Sequence, residues 1–218
     1  MKEYKLPIGC DVPETIILAD GDFPSHPLAL EWLRQCPYVV CCDGAANTYI
    51  RSGRMPEAIV GDGDSLLPDI KERYASLIHS EAEQETNDLS KAFRFCLSQE
   101  RKRITIMGAT GKREDHTIGN VSLLADYMEQ AEVSMMTDYG IFVPIREDSM
   151  FESYIGQQIS VFNMNSTALS AEGLAYPLSV FTNWWQGTLN EALARHFIIR
   201  TEGKVLVFRS YNRYQTDK

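Results

Sequence analysis

The chain has 218 residues, 44% of them hydrophobic and 23% charged, and a formal net charge of −9. That composition fits a folded soluble protein with one large core or two modest ones. The acidity makes nucleic acid a poor partner, and no apolar run approaches the roughly 18 residues of a membrane span.

The opening stretch MKEYKLPIGCDVPE has no apolar signal-peptide core, so a cytoplasmic location is expected. Five cysteines (Cys10, Cys36, Cys41, Cys42 and Cys96) include no C-x-x-C pair, which argues against a zinc site or a disulfide framework. Cys41 and Cys42 read as buried strand residues.

Short runs that are apolar throughout recur along the first two thirds: Thr15–Ala19, Tyr38–Cys42, Ala58–Val60, Ile104–Met107 and Val133–Met136. Such runs suit parallel strands covered on both faces. Between them, Leu89, Ala92, Phe93, Cys96 and Leu97 recur at helical spacing, as do Ile118, Val121, Leu124, Ala125 and Met128. The alternation predicts an α/β domain, an open mostly parallel sheet with flanking helices, over residues 1–142. From 143 to 218 helical periodicity fades. Ile159–Phe162, Phe197–Arg200 and Lys204–Phe208 read as strands of a small antiparallel β domain, with Glu202-Gly203 as a hairpin turn between the last two.

The chemistry concentrates at strand ends. The run Tyr38–Cys42 ends in Asp43, and Ala58–Val60 leads into Gly61-Asp62-Gly63-Asp64-Ser65. Ligands of an open parallel sheet bind beyond the carboxyl ends of its strands, so two strands deliver carboxylates to one edge. If that stretch stays extended, Asp62 and Asp64 point the same way and share a cation. Asp88 stands before the helix at 89–97, where Thr86, Asn87 or Asp88 itself serves as N-cap. Carboxylates gathered at one edge repel unless a cation neutralises them, and an all-oxygen set suits Mg²⁺. The stretch from Gly108 to His116, GATGKREDH, follows a strand and opens a helix, offering backbone N–H groups, Lys112 and Arg113 to an anion. It is neither a Walker A loop nor a clean G-x-G-x-x-G. His116 reads as a structural residue rather than a general base. The residues therefore point to an enzyme of Mg²⁺ and a nucleotide, and they do not name the acceptor.

Taken together, Cys42 to Asn47 (CDGAAN), Gly61 to Ser65 (GDGDS), Gln84 to Asp88 (QETND), Gly108 to Asn120 (GATGKREDHTIGN) and Gly173 to Leu178 (GLAYPL) resemble the thiamine pyrophosphokinase family. The resemblance implies an α/β domain followed by a β-sandwich, a homodimer with sites at its interface, and transfer of pyrophosphate from ATP to thiamine. It implies that Asp62, Asp64 and Asp88 hold Mg²⁺ and the ATP phosphates, with Asp43 organising that site. Gly108, Gly111, Arg113, Asp115 and Asn120 would serve ATP. Gln84 would contact the hydroxyethyl arm of thiamine, and Tyr176 would stack on its pyrimidine. Lys112 stands where the family usually has glycine. The family's late S-N pair matches either Leu189-Asn190 or Thr182-Asn183; the span from Gly173 favours Asn190. Trp184 and Trp185 are open between substrate, dimer and core roles. Competing readings are a Mg²⁺-dependent nucleotide phosphohydrolase, a nucleotide- or thiamine-sensing module, and a pyrophosphokinase for another heterocyclic alcohol.

Overall fold

A computed structural model of the chain describes residues 1–7, 11–80 and 85–211. The first half runs β1 (Lys2–Tyr4), β2 (Thr15–Leu18), α1 (Pro27–Gln35), β3 (Val39–Cys42), α2 (Ala45–Arg51), β4 (Ala58–Gly61), α3 (Pro68–Arg73), β5 (Ile78–Ser80), α4 (Asp88–Ser98) and β6 (Arg103–Met107). Then follow α5 (Glu114–Tyr127), β7 (Glu132–Met136), β8 (Gly140–Ile145), β9 (Ser149–Glu152), β10 (Gln158–Asn163), β11 (Leu169–Glu172), β12 (Asn190–Glu191), β13 (His196–Thr201) and β14 (Val205–Ser210). No helix among the described residues is long and apolar enough to cross a membrane.

The chain divides into two compact units, Gly9–Asp138 and Met1–Ile8 with Tyr139–Lys218. The change of unit therefore precedes the expected 142/143 boundary. The physical reason is β8, one apolar strand that pairs along its whole length with β14, from Gly140↔Ser210 to Ile145↔Val205. Residues 2–4 also belong with the second unit, because β1 pairs in parallel with β9.

In the first unit the strands β7, β6, β2, β3, β4 and β5 lie side by side in that order, every pair parallel. All four residues of β2, β3 and β4 are buried, as continuous apolar runs require when both faces are covered. Helix α4 buries the predicted Leu89, Ala92, Phe93 and Cys96. Of the stripe expected on α5 only Leu124 is buried, and the residue buried with it, Tyr127, is not part of that stripe. Tyr127 stacks on Phe93 at 3.9 Å, whereas Ile118 is 59% exposed. Cys41, Cys42 and Cys96 are buried free thiols, and burial pushes each of them up.

The second unit is a β-sandwich. One sheet has the order β12-β10-β14-β8 and the other β1-β9-β13-β11. Their facing side chains, among them Val143, Phe151, Val161, Phe197 and Val207, form one core. Glu202-Gly203 is not a hairpin turn. β13 already pairs with β9 and β11, and β14 with β8 and β10, so the turn carries the chain from one sheet to the other. Arg209, 2% exposed, donates to the carbonyls of Tyr4, Lys5 and Glu152 and lies 5.1 Å from the Phe151 ring, which ties the N-terminal strand to this unit.

Candidate active site

β2 sits between β3 and β6. The chain builds β3, β4 and β5 on one side of it, then returns to build β6 and β7 on the other. The direction of winding reverses between β2 and β6, and at such a switch point the loops leaving the strands diverge and open a crevice. Here the crevice is a cavity of about 500 Å³. Residues 19–21 after β2 and 109, 111–113 after β6 line it, together with Asp62, Asp88, Lys91 and Asn120.

The two loops are zipped by backbone hydrogen bonds, Gly21 N–H to Gly108 O at 2.6 Å and Asp22 N–H to Thr110 O at 2.8 Å. That closeness explains the glycines. Gly108 has φ +64 and Gly111 φ +79, and a Cβ would stand 2.6 Å from Ala19 O at the first and 2.1 Å from Asp22 Oδ2 at the second. Lys112 follows with φ +54, a left-handed conformation that glycine adopts more readily, which is the physical content of the family's glycine there. In this chain the side chain has a use: Lys112 Nζ donates to Asp20 O at 2.8 Å and to Asp20 Oδ1 at 3.1 Å.

At the end of β3, next to the cavity-lining Cys42 but not itself lining the cavity, Asp43 is 3% exposed and adopts φ +23, in the strained region where non-glycine residues at functional sites are found. Its Oδ2 accepts from Ser65 N–H at 3.0 Å, and its Oδ1 is buried without a hydrogen-bond partner. Burial first, and the charges of Asp88 and Asp62 after it, push the Asp43 carboxyl above its ordinary range. Asp62 is pulled the other way, chiefly by the N–H of Asp64. The segment is not extended. Asp64 N–H donates to Asp62 Oδ1 at 3.0 Å across Gly63, whose φ is +78, so Asp62 and Asp64 do not share a face. Asp62 lines the cavity, while Asp64 lines a shallow depression beside Lys71. Among the described residues no three His, Cys, Asp or Glu side chains are grouped as a metal site. The chemistry still fits a hard cation: an unsatisfied buried carboxylate oxygen on Asp43 and the like-charged carboxylates of Asp62 and Asp88 beside it.

Asn87 is the N-cap of α4, accepting from Ser90 N–H at 2.9 Å, which leaves Asp88 in the first turn with its carboxylate at the cavity. Asp88 Oδ1 takes a hydrogen bond from Lys91 Nζ at 3.2 Å. Asn120 donates to Ala109 O at 2.8 Å and faces Asn87 at 3.4 Å, so it braces the glycine loop from α5. Arg113 and Asp115 form an exposed two-bond pair, and the guanidinium holds the Asp115 carboxyl down at about 2. His116 is exposed in the first turn of α5 and caps nothing. Gln84 lies outside the described residues.

In the β unit, Tyr176 is 64% exposed and is no core residue. Asn190 is buried beside it. Its Oδ1 accepts from Tyr176 N–H at 3.0 Å and Glu191 N–H at 2.9 Å, and its Nδ2 donates to Tyr176 O at 2.8 Å. The Asn190 side chain thus fixes the Tyr176 backbone and holds the ring outward. Asn183 instead caps the short turn Trp184–Gly187. Neither tryptophan is core: Trp185 is 72% exposed, and Trp184, 44% exposed, leans on Phe162.

Two cavity residues escape the sequence reading. Asp20 ends the run Thr15–Ala19 just as Asp43 ends Tyr38–Cys42, so the same signal was available. Lys91 carried none, because a lysine on a helix is expected at the surface, yet it is 4% exposed.

A charged cavity at the switch point of a parallel sheet, carboxylates on one wall and a glycine loop with cations on the other, defines an α/β domain suited to a phosphorylated ligand. Comparison with known proteins is more specific. Residues 29–136 match the family model described as thiamin pyrophosphokinase, catalytic domain, and residues 140–208 the one described as thiamin pyrophosphokinase, substrate-binding domain. The chain belongs to the thiamin pyrophosphokinase family. Thiamine pyrophosphokinase 1 of Oryza sativa subsp. japonica is 30% identical over 48% of this chain and 49% of its own. Thiamine pyrophosphokinase of Bacillus subtilis (strain 168) is 34% identical over 38% and 40%. The chain spans about half the length of the curated relatives it matches. Solved structures share the fold. Thiamin pyrophosphokinase from Candida albicans has a TM-score of 0.79 at 18% identity, covering 97% of this chain and 93% of that one. Yeast thiamin pyrophosphokinase has 0.78 at 16%, covering 96% and 90%.

Proposed function

We propose that this chain transfers the pyrophosphoryl group of ATP to the hydroxyl of thiamine, releasing AMP and thiamine diphosphate. The observation that carries the reading is the pairing of acidic and anion-binding walls in one cavity at the switch point, in a chain whose two halves match the catalytic and substrate-binding models of one family. Asp62 and Asp88, with Asp43 behind them, are the carboxylates that would hold Mg²⁺, and Asp64, turned away across Gly63, would reach it through water. When bound, the ion would neutralise charge on the phosphate oxygens. The N–H groups of 108–113 and the start of α5 would take phosphate oxygens, and Asn120 keeps that loop in shape. Arg113 and Asp115 sit at the exposed rim as the residues nearest a bound nucleotide's solvent side.

The reaction needs one in-line step. The thiamine oxygen bonds to the β-phosphorus, the bond from that phosphorus to the α-phosphate oxygen breaks, AMP leaves with the electron pair, and the hydroxyl proton passes to a carboxylate or to water. The chain's own contribution is positioning and fixed charge. The outward ring of Tyr176 offers a flat face to the aminopyrimidine, with Asn190 positioning it, and Gln84 is the proposed contact of the hydroxyethyl arm. The exposed Trp184, Trp185 and Leu189 support a homodimer, since exposed aromatics at this density mark association surfaces. The test is incubation with ATP, Mg²⁺ and thiamine: AMP must appear only when thiamine is present. ATP cleavage that ignores thiamine would assign the site to a phosphohydrolase.

A further inference from the structure

Lys91 is 4% exposed, and burying an ammonium is costly unless it is paired and hydrogen-bonded. An ammonium has three N–H donors. Asp88 Oδ1, at 3.2 Å, takes one of them, and among the described residues no other group accepts from it. The side chain of Asp88 is itself 36% exposed, so it is not a sealed partner. The other two lysine and arginine side chains on the cavity wall are engaged elsewhere: Lys112 with Asp20 at two points, and Arg113 with Asp115 at two points. Lys91 is therefore the most buried cation of the wall, and two of its donors have no acceptor among the described residues, whereas the Lys112 and Arg113 side chains are 53% and 71% exposed to water. It stands on the carboxylate side of the cavity, beside Asp88 and Asp62, and away from the rim where Arg113 is exposed.

A lysine that only balanced the acidic wall would be expected to turn its remaining donors toward Asp62 or a backbone carbonyl. Asp62 feels the Lys91 charge, yet it accepts no hydrogen bond from it, and Lys91 lines the cavity. We propose that Lys91 is a phosphate-contacting residue, donating from its ammonium to oxygens of the nucleotide beyond the α-phosphate. The inference rests on the nucleotide reading above and adds to it a residue and a place along the polyphosphate. A point charge with rotatable donors suits a phosphoryl group whose oxygens shift as the bond breaks.

The test compares Lys91→Met with the unaltered chain by calorimetric binding of α,β-methylene ATP, which cannot be cleaved at the transferred bond, and of AMP, with Mg²⁺ present throughout. Loss of a charge-assisted contact predicts a Kd for the ATP analogue weaker by about tenfold or more, with the Kd for AMP within about twofold. Equal weakening of both ligands overturns the proposal and leaves Lys91 a structural counter-ion, and so does an unchanged analogue Kd. If the methionine variant does not fold, Lys91→Gln, which can still donate to Asp88, gives the same comparison; failure of both to fold also overturns it. The two readings fail separately. Absence of thiamine-dependent AMP in the unaltered protein removes the proposed reaction, whereas normal thiamine diphosphate synthesis with an unchanged analogue Kd in the variant removes only the role of Lys91.

Discussion

Truncating Tyr176 and truncating the asparagine that holds it should have opposite signatures. The Tyr176 ring is 64% exposed, so Tyr176→Ala removes little buried surface and stability should change by no more than about 0.5 kcal/mol. An aromatic stack contributes about 0.5–1.5 kcal/mol beyond burial, and a desolvated cation near the ring adds to it. A loss of about 1.4 kcal/mol raises KM for thiamine roughly tenfold, while KM for ATP should barely move. Asn190, 3% exposed, makes three hydrogen bonds to the backbone of Tyr176 and Glu191. Their removal leaves donors and an acceptor unsatisfied at about 1–3 kcal/mol for each group that water cannot reach. Asn190→Ala should therefore lose about 2–4 kcal/mol of stability as well as thiamine affinity. In the double variant the KM effects should fall short of additive, because both act through one ring. Chemical denaturation with separate thiamine and ATP titrations reads all of this. An unchanged thiamine KM in Tyr176→Ala would remove the ring from the site, and a loss of several kcal/mol in that variant would contradict its exposure.

Three further outcomes are expected. Asp64→Asn should lower turnover by at least ~10²-fold at an unchanged melting temperature, since the Asp64 carboxylate accepts no hydrogen bond among the described residues and is exposed; near-normal turnover at ordinary Mg²⁺ would refute its role. Asp43→Asn should raise the stability of the ligand-free, metal-free protein at neutral pH. Its folded pKa lies above the ordinary 3.8, so the wild type loses stability as pH rises from there through the folded value. The gain of about 0.5–2 kcal/mol should vanish below about pH 4, and a variant no more stable than wild type at pH 7 would refute the account. Light scattering at micromolar protein should give about twice the 24.7 kDa chain mass if two copies share sites; a fully active monomer would refute that.

Much of the first unit was legible because its central strands are covered on both faces and their sequences are apolar without interruption. β5 and β1 were not, since Ile78–Ser80 and Lys2–Tyr4 are three-residue strands with exposed positions. The parallel partner of β1 lies 147 positions along the chain (Lys2↔Ser149), beyond any local pattern. The Glu202-Gly203 turn was legible as a turn, but which strands it joins depends on pairings made elsewhere in the sandwich. In the site, Asp43 and Asp62 followed from their position at strand ends. The separation of Asp62 from Asp64 did not, because it is made by a side-chain-to-backbone hydrogen bond and a glycine at φ +78. Lys91 stayed hidden because the residue type argues for the surface, while its place in the first turn of α4 turns it into the cavity.

The proposed reaction is defined by the bond that breaks. With thiamine, Mg²⁺ and ATP labelled separately at the α- and β-phosphorus, all α-label should be recovered in AMP and all β-label in thiamine diphosphate. Recovery of the β-label in ADP, or in free pyrophosphate formed without thiamine, would contradict it.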